Sequence, residues 1–177
     1  MDAITHLEEP TACTEPERRD FARLVRRGFR GSDEGLDGRI CAARWLAFYY
    51  AAADTLAGIA GLKAPGERYR VDVFRKAGAG VSPVDYELEL GWVFVDPAYR
   101  GHRIGESLCR SLLARVPASC VFATTRPDNA SMIRILSALG FARVGKPYPR
   151  RDEELVLFLR SLRGHVPAVD ASYLTRR

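Results

Sequence analysis

The chain predicts a mixed α/β fold: a central, mostly antiparallel sheet of about six to seven strands, flanked by helices, with one parallel strand–helix–strand crossover. Three observations lead there. Periodicity alternates between helical and strand spacing in the order helices, hairpin, long strand, helix, strand, helix, hairpin. The middle strand–helix–strand needs a parallel pair, whereas the flanking hairpins are antiparallel. Residues 89–105 read ELGWVFVDPAYRGHRIG, an apolar strand that stops at Asp-Pro and enters a helix through a basic, Gly-containing turn.

Taken in order, residues 3–9 suit a short first strand before a Pro-bounded link. Residues 15–30 have helical spacing, with Phe21, Leu24, Val25 and Phe29 on one face and arginines opposite. A Gly/Asp-rich link follows, and 39–43 reads as the end of a second short helix. Large apolar residues at 45–52 and small ones at 55–62 form a hairpin turning at Ala53-Asp54. The segment 63–84 has the weakest pattern: Pro65-Gly66 opens it, 69–76 spaces as a short helix, and 78–83 is a loop. Strand spacing returns over 86–95. An amphipathic helix is expected over 104–116, with Ile104, Leu108, Leu112 and Leu113 on its face, then a strand at 120–125. Asn129 opens a helix that Gly140 ends. Strands at 142–146 and 155–160 close the fold, with Tyr148 on the loop between them. The expected organisation is one domain over 1–163 and a loosely ordered tail over 164–177.

Composition sets outer limits. The 177 residues, 47% hydrophobic and 28% charged, are ordinary for a globular domain. No run of about 18 apolar residues and no basic-then-apolar leader is present, so a cytoplasmic protein without membrane association is expected. The four cysteines form no CxxC pair and lie near no histidine at ligand spacing, which argues for buried reduced thiols and against a metal. The net charge is +5, and 24 of the 27 basic residues are arginine, dispersed along the chain. That balance is compatible with base composition or with a surface that attracts a phosphorylated ligand or a nucleic acid.

The chemistry concentrates around 85–106. On the long strand, Tyr86, Leu88, Leu90, Trp92 and Phe94 make one apolar face. The other carries Asp85, Glu87 and Glu89 before Gly91, Val93 and Val95. Three carboxylates on one face imply a polar cleft, in which mutual repulsion and partial burial raise a carboxyl's pKa toward that of a useful general base. Glu89, the innermost, is the candidate; an exposed acidic edge is the other reading of these three residues. The turn after the strand delivers helix N–H groups and two arginines, Arg100 and Arg103, to one place, a cradle for phosphate.

Strand, D-P-x-Y-R-G-x-x-I-G and amphipathic helix together resemble the acyl-CoA-binding motif of the GNAT superfamily of N-acetyltransferases. The stretch DNASMIRILSALGF resembles the superfamily's next motif. The resemblance covers nearly the whole chain, with 63–84 as an apparent insertion. It implies acetyl-CoA as co-substrate. A bulged strand would use the main chain of Val93, Phe94 and Val95 for the pantetheine arm, with Val93 N–H as oxyanion donor. The pyrophosphate would lie on the amides of Arg100, Gly101, His102, Arg103, Ile104, Gly105 and Glu106. Glu89 would be the general base, and Asn129 would bond the pantetheine arm or the adjoining strand. Two departures stand out. Arg103 occupies a position usually held by Gly, at a cost of about 1 kcal/mol if the backbone there needs φ > 0. Leu136 replaces the usual Tyr general acid, so water or Tyr148 would have to supply that proton.

The implied function is direct acetyl transfer to a primary amine, on a small molecule or on a larger substrate, by a monomer or homodimer. Two alternatives stay open. One is a GNAT toxin that acetylates the amine of aminoacyl-tRNA, for which Arg143, Lys146, Arg150 and Arg151 would supply phosphate contacts. The other is a non-catalytic acyl-CoA-binding module.

Overall fold

A computed structural model describes residues 4–29, 34–51 and 55–162. The expected turn at Ala53-Asp54, Arg30 and the tail over 164–177 lie outside the described residues. Seven strands form one mixed sheet: β1 (Ile4–Glu8), β2 (Trp45–Ala51), β3 (Thr55–Lys63), β4 (Leu88–Val95), β5 (Val121–Thr125), β6 (Ala142–Arg150) and β7 (Glu153–Arg160), ordered β1-β2-β3-β4-β5-β7-β6. The helices are α1 (Glu15–Gly28), α2 (Leu36–Cys41), α3 (Glu67–Ala77), α4 (Ile104–Ala114) and α5 (Ala130–Ala138). The expected element order is the observed one, with β4–β5 the parallel pair around α4. Internal contacts group the chain into two units, 1–64 with 90–117 and 65–89 with 118–177.

In the first unit, β1, β2 and β3 form an antiparallel meander with Leu7 opposite Ala47 and Phe48 opposite Ile59. Helix α1 starts where Thr14 and Glu17 satisfy each other's backbone N–H groups in a capping box, with Glu15 and Glu17 in the first turn and Arg26 and Arg27 in the last. Its Phe21, Leu24 and Val25 are buried with Leu36 and Ile40 of α2 against Phe48, Ile59, Trp92 and Phe94. Each such side chain contributes roughly 1.5–3 kcal/mol of burial. The alternation of β3 sends Gly58 the other way, where a side chain would meet Ile104 and Leu108 of α4. Helices thus cover both faces of this part of the sheet. Phe29, expected on the α1 face, is instead the C-cap residue and 41% exposed. Leaving the helix in extended geometry turns its side chain away from the buried stripe.

In the second unit, β5, β7 and β6 are antiparallel, with Ala123 opposite Phe158 and Arg143 opposite Phe158 on its other side. Helix α3 buries Val73, Phe74 and Ala77 among Tyr86, Phe122, Tyr148, Leu155 and Leu157. Phe74 meets Phe122 edge-on, with centroids 5.5 Å apart. Asn129 accepts from Met132 N–H and so caps α5. Two expectations change here. The long strand starts at Leu88, not 86, because Ser82 accepts from Val84 N–H and Pro83 opens a 3-10 turn through Asp85. Asp85 is in that turn and Glu87 is exposed, which leaves Glu89 as the one buried carboxylate of the three. Tyr148 is buried within β6 rather than on a loop. The register of β6 shifts between Val144 and Tyr148, where Gly145 has φ +70°. That irregularity extends the strand past the Gly-Lys-Pro sequence that had suggested a loop.

Candidate active site

Strand β4 is irregular where the sequence places the chemistry. Trp92 has φ +52°, a genuine outlier for a bulky residue. Packing holds it there. The indole is buried, lies edge-on to Phe21 with centroids 5.9 Å apart, and has Lys63 Nζ 5.5 Å from a ring centroid. A Cβ on Gly61 would stand 2.5 Å from Trp92 Cε3, so only glycine leaves room for the ring. Val93 and Val95 are half-buried and Phe94 is buried beneath Arg27, whose guanidinium is 5.4 Å from the ring centroid.

The strand ends at Asp96, whose N–H donates to Ala57 O at 2.8 Å. Its carboxylate accepts from Ala98 N–H at 3.1 Å and pairs with Arg27 at 2.9 Å, and both hold its pKa below the usual range. The turn is thereby tied at one end. Arg100 Nε donates back to Val95 O at 3.0 Å, so its side chain is spent on the turn. Gly101 has φ +88° and Arg103 φ +57°; Arg103 is the N-cap of α4, with no side chain capping the helix. The left-handed conformation on which a cost at Arg103 depended is therefore present, at about 1–2 kcal/mol. Gly101, His102 and Arg103 are exposed, while Ile104 and Gly105 are buried. Glu106 lies between Arg103 and Arg110, 3.0 and 2.9 Å away, and these partners (Arg110 foremost) lower its pKa. The result is an uncapped helix N-terminus entered through an exposed turn, a geometry suited to an anion.

Glu89 belongs to the second unit. The residue is 2% exposed, and its carboxylate Oε1 accepts from Thr124 Oγ1 at 3.2 Å and, at a longer 3.5 Å, from the Tyr69 hydroxyl. Burial above all, and then the Glu89 charge, push the phenols of Tyr69 and Tyr148 up, so both remain protonated. The Tyr148 hydroxyl is buried without a hydrogen-bond partner among the described residues. The Arg150 guanidinium lies 5.3 Å from the Tyr69 ring centroid. Sequence reading missed Tyr69 and Thr124. Tyr69 sits in the segment whose pattern was weakest, and Thr124 is one polar residue within an apolar strand. A carboxylate on a buried strand needs donors, and that requirement is the signal that could have prompted a search for hydroxyls.

Asn129 has its side-chain oxygen engaged in the α5 cap. Leu136 is fully buried and apolar, and His102 is exposed and pairs with no carboxylate among the described residues. The thiols are free; Cys13, Cys109 and Cys120 are buried and Cys41 is exposed. Among the described residues no group of three or more His, Cys, Asp or Glu could hold a metal ion. No described helix is long and apolar enough to cross a membrane.

The mixed sheet, the positive-φ residue in its fourth strand and the turn into α4 define a protein of the acyl-transferase fold class. An acyl-CoA N-acyltransferase from Pseudomonas aeruginosa has a similar structure, with TM-score 0.67 and 16% identity, over 90% of this chain and 100% of that one. Residues 8–141 match the Acetyltransferase (GNAT) family, and the chain belongs to that family. N-alpha-acetyltransferase RimI of Mycobacterium tuberculosis is 38% identical over 60 residues, 34% of this chain and 38% of that protein. An uncharacterized protein of Mycobacterium leprae is 31% identical over 111 residues, 61% of this chain and 27% of that one. The chain thus spans well under half the length of these two curated relatives.

Proposed function

We propose that the chain is an N-acetyltransferase that moves the acetyl group of acetyl-CoA to a primary amine by direct attack. The observation that carries this reading is strand β4 itself: a buried carboxylate at Glu89, a positive φ at Trp92, and an exposed turn into an uncapped helix. The main-chain N–H groups of Arg100, Gly101, His102, Arg103, Ile104, Gly105 and Glu106 receive the pyrophosphate. Phe94 and Val95 align the pantetheine arm through their main chain, and Val93 N–H stabilises charge developing on the thioester oxygen. Asn129, with its oxygen occupied by the cap, offers its amide NH2 to the arm.

Glu89 takes the proton of the acceptor ammonium, directly or through one water. The amine nitrogen bonds to the acetyl carbon, the carbon–sulfur bond breaks, and coenzyme A departs as thiolate. Leu136 has no proton to give, so the proton that the acylated nitrogen sheds passes through water to the thiolate, which leaves as the thiol. Thr124 and Tyr69 donate to Oε1 and fix the carboxylate's orientation.

The test is Glu89→Gln, which keeps an oxygen for Thr124 and removes the base. Turnover at neutral pH should fall about 100-fold or more, with acetyl-CoA affinity altered by less than about a factor of two. Undiminished turnover removes Glu89 from the mechanism. Calorimetry that finds no affinity for coenzyme A or its esters removes the whole reading.

A further inference from the structure

Around Glu89 the second unit carries more polar equipment than a lone base requires. Tyr148 is 2% exposed and its hydroxyl has no partner among the described residues, although an unpaired buried hydroxyl costs about 1–3 kcal/mol. Arg150 lies two residues further along β6. The register there is regular, with Tyr148 opposite Leu155 and Arg150 opposite Glu153, so Tyr148 and Arg150 share a face of the strand. Tyr69 connects them to the carboxylate: its hydroxyl reaches Glu89 Oε1, and its ring lies beneath the Arg150 guanidinium. One end of a single phenol thus carries a negative group and its face a positive one. Arg150 is exposed, and no carboxylate comes within ion-pair distance of it among the described residues, Glu153 included. By contrast, Arg23, Arg75, Lys76 and Arg110 each pair with a carboxylate on their own helix.

We propose that the acceptor is a primary amine carrying an anionic group close to its nitrogen, with the amine on Glu89 and the Tyr148 hydroxyl and the anion on Arg150. This deepens the transfer reading above and rests on its assignment of Glu89 to the acceptor. An ammonium has three N–H donors, so it can donate to both the carboxylate and the phenol oxygen at once. A carboxylate or phosphonate on the same molecule completes Arg150, whose planar fork suits either. Acceptors whose acid is blocked as an amide leave the guanidinium unpaired.

The experiment is calorimetry of the full chain, with and without coenzyme A, titrated with the standard amino acids, β-alanine, aminomethylphosphonate, aminoethylphosphonate and the amino acid amides. At least one anionic amine should bind about tenfold or more tighter than its amide. The better of carboxylate and phosphonate identifies the anion. Arg150→Ala should bring that preference close to unity, and Arg150→Lys should retain part of it. Tyr148→Phe should weaken the preferred ligand about three- to tenfold. The proposal is overturned if no anionic amine outbinds its amide, if Arg150→Ala keeps the preference, or if Tyr148→Phe leaves affinity intact. Coenzyme A release is followed in parallel. Preferred binding without release counts against transfer and for this recognition; release with amides alone does the reverse.

Discussion

Replacing Gly145 by alanine tests how the packing of α3 against β6 sets up the Tyr69–Tyr148 arrangement. Gly145 has φ +70°, and a Cβ there would stand 2.0 Å from the carbonyl oxygen of Ala77, the last residue of α3. Two costs follow. The left-handed conformation costs a non-glycine residue about 1–2 kcal/mol. The contact is more than 1 Å too short against main chain, and overpacking of that kind adds about 1–3 kcal/mol. Gly140 separates the two, because it has φ +82° but nothing within 4 Å of a built Cβ. Gly140→Ala should therefore lose about 1–2 kcal/mol, and Gly145→Ala about 2–5 kcal/mol. At about 2–4 °C per kcal/mol for a chain of this size, the second Tm should drop several degrees further than the first. Urea unfolding of the three proteins measures this. Gly145→Ala should also disturb the acceptor side, because relieving the contact moves α3, and Tyr69 with it, away from β6. Equal losses for the two alanine variants would refute the steric argument and leave only the backbone term.

Glu106 should govern part of the acid sensitivity. Its pKa is depressed by Arg110 and Arg103, so the stability it confers is present above the ordinary glutamate range and fades as pH falls through its lower folded value. Glu106→Gln should flatten the stability–pH profile below about pH 5 while leaving the profile at pH 7 to 8 parallel to wild type; identical acid slopes would contradict the ion-pair assignment. The thiols should divide by accessibility. Burial drives Cys13 up to about 11 and Cys109 up to about 12, whereas Cys41 is exposed. Iodoacetamide at pH 8 should modify Cys41 in the native protein and all four cysteines in denaturant, read by mass spectrometry; early labelling of Cys109 would show that α4 opens readily.

Much of the fold was legible because its elements bury one face each. Phe21, Leu24 and Val25 repeat at helical spacing and are buried together, as are Ile104, Leu108 and Leu112. The turn into α4 was equally plain, since Asp-Pro and Gly mark it without any tertiary information. What escaped was decided by local hydrogen bonds or by distant partners. Ser82 and Pro83 shorten the front of β4, and this removes Asp85 and Glu87 from the face that alternation assigned them. Tyr148 looked like a loop residue because Gly145 and Pro147 interrupt the pattern, whereas a register shift carries the strand through them. Tyr69 and Thr124 are 20 and 35 residues from Glu89, and only the folded chain brings their hydroxyls to its carboxylate.

Strand β6 stands at the end of the sheet order and contains Arg143, Lys146, Pro147, Pro149 and Arg150. Two prolines offer no N–H for a ladder, three cations repel a like partner, and the register shift spoils a flat template. This boundary of the sheet is thus guarded against recruitment of a further strand, and assembly by sheet extension is disfavoured along it. The same residues that discourage aggregation include Arg150, so charge needed for solubility and charge proposed for choosing a substrate are carried by one short segment.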